Sequence, residues 1–136
     1  MQKNLSFAED PVSLRDMLPK QGDGSGLVIE RRQVKNWTVF VLSGRMTAES
    51  APEFDRNCKA SIAEGHNQVI IDVGDLAYVS SMGLRSFLAI AKMLEVSGGS
   101  LRVCRLTGLV KQVFEITGLT KAIRVYESAE SALMGG

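Results

Sequence analysis

The chain has 136 residues, of which 45% are hydrophobic and 23% are charged, and this composition is ordinary for one folded domain. Sixteen basic and fifteen acidic residues leave a formal net charge of +1, which excludes a general electrostatic attraction to nucleic acid or to an anionic membrane. No apolar run approaches the roughly 18 to 20 residues that cross a bilayer, and the N-terminus lacks the apolar core of a secretory signal. We therefore expect a cytoplasmic protein that binds neither nucleic acid nor membrane directly.

Residues 1–26 differ in composition from the rest of the chain. Asp10 and Pro11 are typical of the start of a helix, and Pro19 would end such a helix after Leu18. The stretch from residue 21 to residue 26 then has glycine at every second position, as flexible linkers do. We predict an N-terminal appendage and linker over residues 1–26 and one folded domain over residues 27–136.

The domain begins with a predicted hairpin and a predicted helix. Residues 27–33 and 37–43 are rich in β-branched and aromatic side chains and flank a Lys-Asn pair that suits a turn. Ser50 and Glu53 then have the spacing of a capping box, in which the Glu53 carboxylate reaches back to the Ser50 amide. The helix should end at Gly65, which tolerates a left-handed conformation. Its predicted buried face carries Phe54, Cys58 and Ile62.

The rest of the chain alternates strands with helices. Residues 68–73 form a continuous apolar run that ends near Asp72, as in strands buried on both faces of a sheet. A short loop should follow and lead into the next helix. The later predicted elements are a helix from Ser80 or Ser81 to Ser97, a strand over 101–104, a helix over 109–116, a strand over 123–126 and a helix over 128–134. The order ββαβαβαβα predicts an α/β fold with a mixed sheet, because helical crossovers make the later strands parallel.

Residue types that bind metals are sparse in this sequence. Cys58 and Cys104 lie far apart without a C-x-x-C spacing, and His66 is the only histidine. A zinc site needs more ligands than these. We predict that both cysteines are small core residues and that the protein carries no metal or other cofactor.

The candidate site is the segment in which the strand over 68–73 leads to the helix that starts with Ser80 and Ser81. Ligands of open α/β sheets gather beyond the carboxyl ends of the strands, which is where these serines should lie. The simplest interpretation is that one serine is the helix N-cap. A catalytic serine is disfavoured, because Val79 stands where a nucleophile elbow around Ser81 needs its leading glycine and His66 should lie at the other end of the sheet. Asp72 and Asp75 show no spacing typical of paired catalytic carboxylates, so we do not expect an enzyme.

Three motifs together resemble one known family. Residues 78–85 read Tyr-Val-Ser-Ser-Met-Gly-Leu-Arg, residues 42–46 read Leu-Ser-Gly-Arg-Met, and residues 114–119 read Phe-Glu-Ile-Thr-Gly-Leu. In combination they resemble STAS domains, and in particular bacterial anti-sigma factor antagonists, over residues 27–133. The resemblance implies a STAS-like sheet with helices packed against it.

The resemblance also implies a regulatory mechanism. In this family the serine at the position of Ser81 is phosphorylated by a serine-protein kinase that is itself the anti-sigma factor. The unphosphorylated antagonist binds that partner and releases a sigma factor, and a PP2C-type phosphatase resets the phosphorylated form. Ser80 is the alternative phosphorylation site, since it stands where the family often has Asp. Met82 likewise replaces a residue that is usually small.

A phosphate on Ser81 agrees with the local physics. Phosphoserine carries roughly −1.5 to −2 charges, and a helix N-terminus offers free amides and the positive end of the helix dipole. Arg85 lies four residues further, on the same side of the helix, and could pair with the phosphate. We therefore expect the modification to add charge and bulk at an interface without unfolding the domain.

The same helix suggests where a partner binds. Leu84, Phe87, Leu88, Ala91 and Leu94 form its predicted core face, and Met82, Ala89 and Met93 its predicted opposite face, beside Arg85 and Lys92. The predicted partner-binding residues are Ser80, Met82, Gly83, Arg85, Ala89 and Met93. The alternative is a STAS subunit of another assembly, for lipid transport or signalling, or a ligand-sensing module without serine phosphorylation.

Overall fold

A computed structural model describes residues 26–135, which contain one five-stranded sheet in the order β1-β2-β3-β4-β5. The strands are β1 (Leu27–Val34), β2 (Trp37–Met46), β3 (Gln68–Val79), β4 (Ser100–Cys104) and β5 (Arg124–Tyr126). The helices are α1 (Ala51–Ala63), α2 (Ser81–Val96), α3 (Gly108–Ile116), α4 (Leu119–Ala122) and α5 (Ala129–Met134). The pair β1 and β2 is antiparallel, whereas each later pair of neighbours is parallel. The predicted mixed α/β sheet is therefore confirmed, with the four-residue helix α4 as an addition that the sequence analysis missed.

The strand order explains why the main core lies on one face of the sheet. Each parallel step from β2 to β5 moves to the next strand through a helical crossover, and right-handed crossovers in one direction place their helices on the same face. Phe54 of α1, Phe87 of α2 and Phe114 of α3 accordingly pack in series, with ring centroids 5.0 and 5.2 Å apart. Helix α5 covers part of the opposite face, where Ala132 packs with Val39 and Ile70.

The hairpin and the predicted helix ends agree with the structure. Lys35 has a φ of 56° and starts the turn between Val34 and Trp37. Gly65 and Gly118 follow the ends of α1 and α3 with φ of 96° and 78°. The predicted helix over 10–18 and the linker before Gly26 lie outside the described residues.

The capping box predicted at the start of α1 is wrong. Ser50 precedes the helix, but its side chain makes no capping hydrogen bond. Its hydroxyl instead accepts from the amide of Thr47 at 2.8 Å and donates to the carbonyl of Arg45 at 3.0 Å. Ser50 thus closes the turn that follows β2, and this tertiary arrangement takes the hydroxyl away from the helix. The buried residues of α1 also differ in part, since Ser61 is buried while Ile62 is only partly buried.

Strand β3 is longer than predicted and leaves no loop before α2. The sequence analysis ended the strand near Asp72, but pairing with β2 continues to Val79, next to Met46. The register shifts between Val41 and Ser43, so a bulge lets the two strands keep pairing after β4 has ended opposite Asp72. This extension carries the serine pair directly off the end of the sheet.

Both cysteines are buried and free, as predicted. Cys58 lies in the core beneath α1, and Cys104 lies in the smaller cluster beneath α5. Burial raises the pKa of each thiol to about 12. Neither thiol is therefore a reactive thiolate near neutral pH.

Candidate partner-binding site

The candidate site is the junction between β3 and α2. Val79 is the last residue of β3, Ser80 is the N-cap of α2, and Ser81 is the first helical residue. The amide of Ser80 donates to the carbonyl of Met46 at 2.8 Å. The start of α2 is therefore tied to the end of β2 as well as to β3.

The two serines have different environments. Ser80 is extended, with φ of −85° and ψ of 171°, and its hydroxyl accepts from the amide of Gly83 at 3.2 Å. Ser80 is half-buried, whereas Ser81 is exposed. Among the described residues, none forms a hydrogen bond with the Ser81 hydroxyl. Ser80 is thus the structural cap, and Ser81 presents its hydroxyl to solvent one residue later.

Gly83 is buried and allows α2 to approach the sheet closely. A Cβ atom added at this position would lie 2.7 Å from Met46 Sδ and 2.8 Å from Val79 Cγ2. These distances are too short for any larger side chain without movement of the core. Gly83 was predicted to contact the partner. The structure instead buries it between the helix and the sheet, where it offers a partner no side-chain surface.

The orientation of α2 differs from the prediction at two positions. Leu88 was assigned to the core face but is exposed, and Met93 was assigned to the opposite face but is partly buried against the main core. The buried residues of α2 are Gly83, Phe87, Ile90 and Leu94. This face is centred about a fifth of a turn from the predicted one, because successive helix residues are about 100° apart and the sequence analysis included Leu88 but omitted Ile90.

The exposed side of α2 carries a mixed apolar and basic surface. We call it the outer face, and it consists of Met82, Arg85, Leu88, Ala89, Lys92 and Val96. Met82, Leu88 and Val96 are 44%, 39% and 89% exposed. The Arg85 guanidinium points towards Met82 Sδ, with Nη1 at 4.0 Å, and forms no ion pair with another described residue. Leu88 and Val96 were missed by the sequence analysis, although a strict 3.6-residue period through Phe87, Ile90 and Leu94 would have found them.

Within residues 26–135, the structure does not bring the histidine of the chain to Ser81. His66 lies in the turn between α1 and β3, at the opposite end of β3 from the serines. Between residues 26 and 135, no group of three or more histidine, cysteine, aspartate or glutamate side chains could hold a metal ion. In the same range, no helix has the length and apolar character needed to span a membrane.

The aspartates of β3 are held by an arginine that the sequence analysis did not consider. Arg105 Nε lies 2.9 and 3.1 Å from the two carboxylate oxygens of the buried Asp72, and its Nη2 lies 3.5 Å from Asp75 Oδ2. The Asp72 hydrogen bond and charge raise the pKa of the Arg105 guanidinium. Asp72 also accepts from the amide of Gly74 at 3.0 Å. These contacts make the group a structural ion pair, with Arg105 33 residues away from Asp72 in the chain.

The fold and the site define a small mixed α/β domain whose candidate binding surface is the N-terminus and the exposed side of one helix, α2. The model of the STAS domain family matches residues 28–132. The chain belongs to the STAS domain family, as the sequence motifs predicted.

Known proteins similar to this chain include regulators of sigma factors. BtrV of Bordetella bronchiseptica, named as an anti-sigma factor antagonist, is 33% identical over 100 residues, which are 74% of this chain and 86% of BtrV. The crystal structure of an anti-sigma factor antagonist from Mycobacterium paratuberculosis superposes with a TM-score of 0.75 at 21% identity, over 83% of this chain and 95% of the other. The Bacillus cell fate determinant SpoIIAA in its phosphorylated form superposes with a TM-score of 0.64 at 17% identity, over 79% of this chain and 97% of the other. The resemblance to anti-sigma factor antagonists is confirmed.

Proposed function

We propose that this protein is an anti-sigma factor antagonist that binds its partner through Ser81 and the outer face of α2. The observation that carries the proposal is the arrangement of the serine pair. Because Ser80 caps the helix, the adjacent Ser81 can be chemically modified without loss of the cap. The names of the relatives support the class of partner, an anti-sigma factor.

We propose further that phosphorylation of Ser81 controls this binding. A phosphate at the first helical position would meet unpaired backbone amides and the positive end of the helix dipole, which stabilise negative charge. Arg85 lies one turn further and is without an ion-pair partner among the described residues, so it is available to the phosphate. SpoIIAA, which shares the fold, has been captured in a phosphorylated form.

Ser80 is the less suitable phosphate acceptor. Its hydroxyl already accepts from the Gly83 amide, and its backbone amide is bonded to Met46. A phosphate on Ser80 would replace this cap and crowd the contact between α2 and β2. A phosphate on Ser81 would project into solvent and add charge directly at the proposed interface.

The proposed cycle has two enzymatic partners. The anti-sigma factor is itself the serine-protein kinase, and it binds the unphosphorylated chain and releases a sigma factor. A PP2C-type phosphatase removes the phosphate and restores binding. The role of this chain in the cycle is recognition: its Ser81 hydroxyl accepts the phosphoryl group of ATP from the kinase, and the phosphatase hydrolyses the resulting phosphoserine to serine and inorganic phosphate.

The proposed function is tested with three full-length baits, namely wild type, Ser81→Ala and Ser81→Asp, in a native lysate followed by mass spectrometry. We expect the wild-type and Ala baits to retain a serine kinase that the Asp bait loses. With ATP, that purified kinase should add the mass of one phosphate to wild type and to the matched control Ser80→Ala, but not to Ser81→Ala. If all baits retain the same proteins, or Ser81→Ala is still phosphorylated, the assignment of Ser81 is wrong. The alternative of a STAS subunit in another assembly then becomes the better account.

A further inference from the structure

The chain before residue 26 enters the fold close to Ser81. The carbonyl of Gly26 accepts from the amide of Arg45 at 3.0 Å, and the carbonyl of the next residue of β2, Met46, accepts from the amide of Ser80. Gly26 and Ser80 thus lie on either side of the end of β2, about 10 Å apart, because neighbouring strands are about 4.8 Å apart. The N-terminal segment, defined as residues 1–25, is therefore tethered beside the first turn of α2.

The N-terminal segment is long enough to cover the whole outer face. Helix α2 has 16 residues and is about 24 Å long, at 1.5 Å per residue. Even 15 extended residues span about 50 Å. The tether therefore places no limit on which part of α2 the segment reaches.

The segment and the outer face are complementary in chemistry. Within the segment, residues 9–18 carry Val12, Leu14, Met17 and Leu18 with three acidic residues and one basic residue, and Lys3, Lys20 and Asp23 lie outside this stretch. The outer face offers Met82, Leu88 and Val96 for apolar contact, with Arg85 and Lys92 beside them. Short segments bind protein surfaces through apolar anchor residues, and complementary charges add specificity to such contacts.

We propose that the N-terminal segment docks in cis on the outer face of α2 and competes there with the protein partner. This inference rests on the proposed function, because the competing partner uses the same surface. A tethered segment has an effective concentration in the millimolar range, so even weak docking lowers the apparent affinity of a partner. We expect a reduction of about tenfold in partner affinity, which corresponds to a segment that is docked about nine-tenths of the time.

Docking is tested in the full chain without any partner. A nitroxide label attached through Ser13→Cys reports which backbone amides come near residue 13 by paramagnetic broadening of their NMR signals. Cys58 and Cys104 do not compete for the label, because both are buried and burial raises the pKa of each thiol to about 12. We expect the amide signals of Arg85, Leu88 and Lys92 to broaden.

The control surface for this experiment is the groove between the hairpin turn and α5, which is a second place where the segment could dock. This groove has a volume of about 310 Å³ and is lined by Trp37, Leu133 and Met134. Broadening there in place of α2, or no local broadening anywhere, would overturn the proposal.

A matched pair of variants adds a second criterion. Val12→Asp with Leu14→Asp should abolish the broadening of α2, whereas Gln21→Asp with Ser25→Asp, which adds the same charge nearer the domain, should leave it.

The competition is tested with the kinase retained by the Ser81→Ala bait. We expect Val12→Asp with Leu14→Asp to raise its affinity about tenfold, and unchanged affinity would overturn competition. The two experiments separate the proposals. Absence of broadening overturns docking whatever happens at Ser81, whereas failure of Ser81 phosphorylation leaves the docking measurement valid.

Discussion

Ser80 and Ser81 are adjacent in the chain, but their hydroxyl groups have different roles. The Ser80 hydroxyl is within hydrogen-bond distance of the Gly83 amide, while the Ser81 side chain is exposed. At the scale of a single residue, Ser80 therefore contributes to the stability of the fold, and Ser81 is the residue proposed to regulate binding. A substitution at Ser80 should affect folding, and a substitution at Ser81 should affect binding.

We expect Ser80→Ala to lower the free energy of unfolding by about 1 kcal/mol, the usual cost of losing a serine N-cap. Ser81→Ala should change it by less than about 0.5 kcal/mol, as for exposed positions. Urea denaturation of both variants measures the two values. Equal losses would show that the two hydroxyl groups share the cap.

Gly83→Ala tests the close approach of α2 to the sheet. An exposed helical glycine gains stability when replaced by alanine, by roughly 1 kcal/mol. Here the added Cβ would collide with Met46 Sδ and Val79 Cγ2, so we expect a loss of about 1 to 3 kcal/mol instead. Thermal unfolding decides the sign, and a more stable variant would contradict the packing at this position. Val79→Ala in the same chain should recover part of the loss.

At the scale of the element, α2 has one face for the core and another for binding. The core face is continuous from Gly83 to Leu94, and it holds the helix against the sheet. The outer face mixes exposed apolar and basic side chains, which is typical of an adaptable protein contact. The two faces meet at Met93, which is partly buried.

Leu88→Glu should therefore affect partner binding, whereas Met93→Glu should affect the stability of the fold. We expect Leu88→Glu to weaken partner binding at least tenfold and to leave the melting temperature nearly unchanged, since Leu88 is 39% exposed. Met93→Glu should lower the free energy of unfolding by about 1 to 3 kcal/mol, because it places a charge against the core. Calorimetry and binding titration of both variants measure these effects, with Glu95→Gln on the same helix as control. Partner affinity that is insensitive to Leu88→Glu would exclude the outer face as the binding surface.

At the scale of the whole molecule, the sheet separates two cores of different size. The main core beneath α1, α2 and α3 contains Cys58, and the smaller core beneath α5 contains Cys104. Arg102 of β4 links the sheet to α5 on the side of the smaller core, with its guanidinium 4.5 Å from the centre of the Trp37 ring and hydrogen-bonded to the Ala132 carbonyl. Each core therefore contains one cysteine, and the ionisation of its thiol can be used to test the burial of that core.

Because both thiols are buried, we expect the folded chain to lose stability at alkaline pH. Burial raises the pKa of each thiol from 9.0 to about 12, so the unfolded chain releases these protons at lower pH than the folded chain does. Their contribution is complete below about pH 9 and is lost as the pH rises towards 12, because the unfolded state then binds fewer protons. We expect the free energy of unfolding to fall over this range, and the slope to be smaller in Cys58→Ala and Cys104→Ala. A slope that neither variant changes would contradict burial of the thiols.

The sequence by itself determined the order of the elements other than the short helix α4, the hairpin, the mixed sheet, the family and the serine pair, because strand and helix periodicity, turn residues and short motifs are local properties. Only the tertiary structure decided the extension of β3 to Val79, the position of the Ser50 hydroxyl, the burial of Gly83 and the exchange of Leu88 and Met93 between the faces of α2. Each of these depends on how elements distant in sequence approach one another. The ion pair of Asp72 and Arg105 shows the same principle, since its partners are 33 residues apart and meet only when β3 and β4 pair.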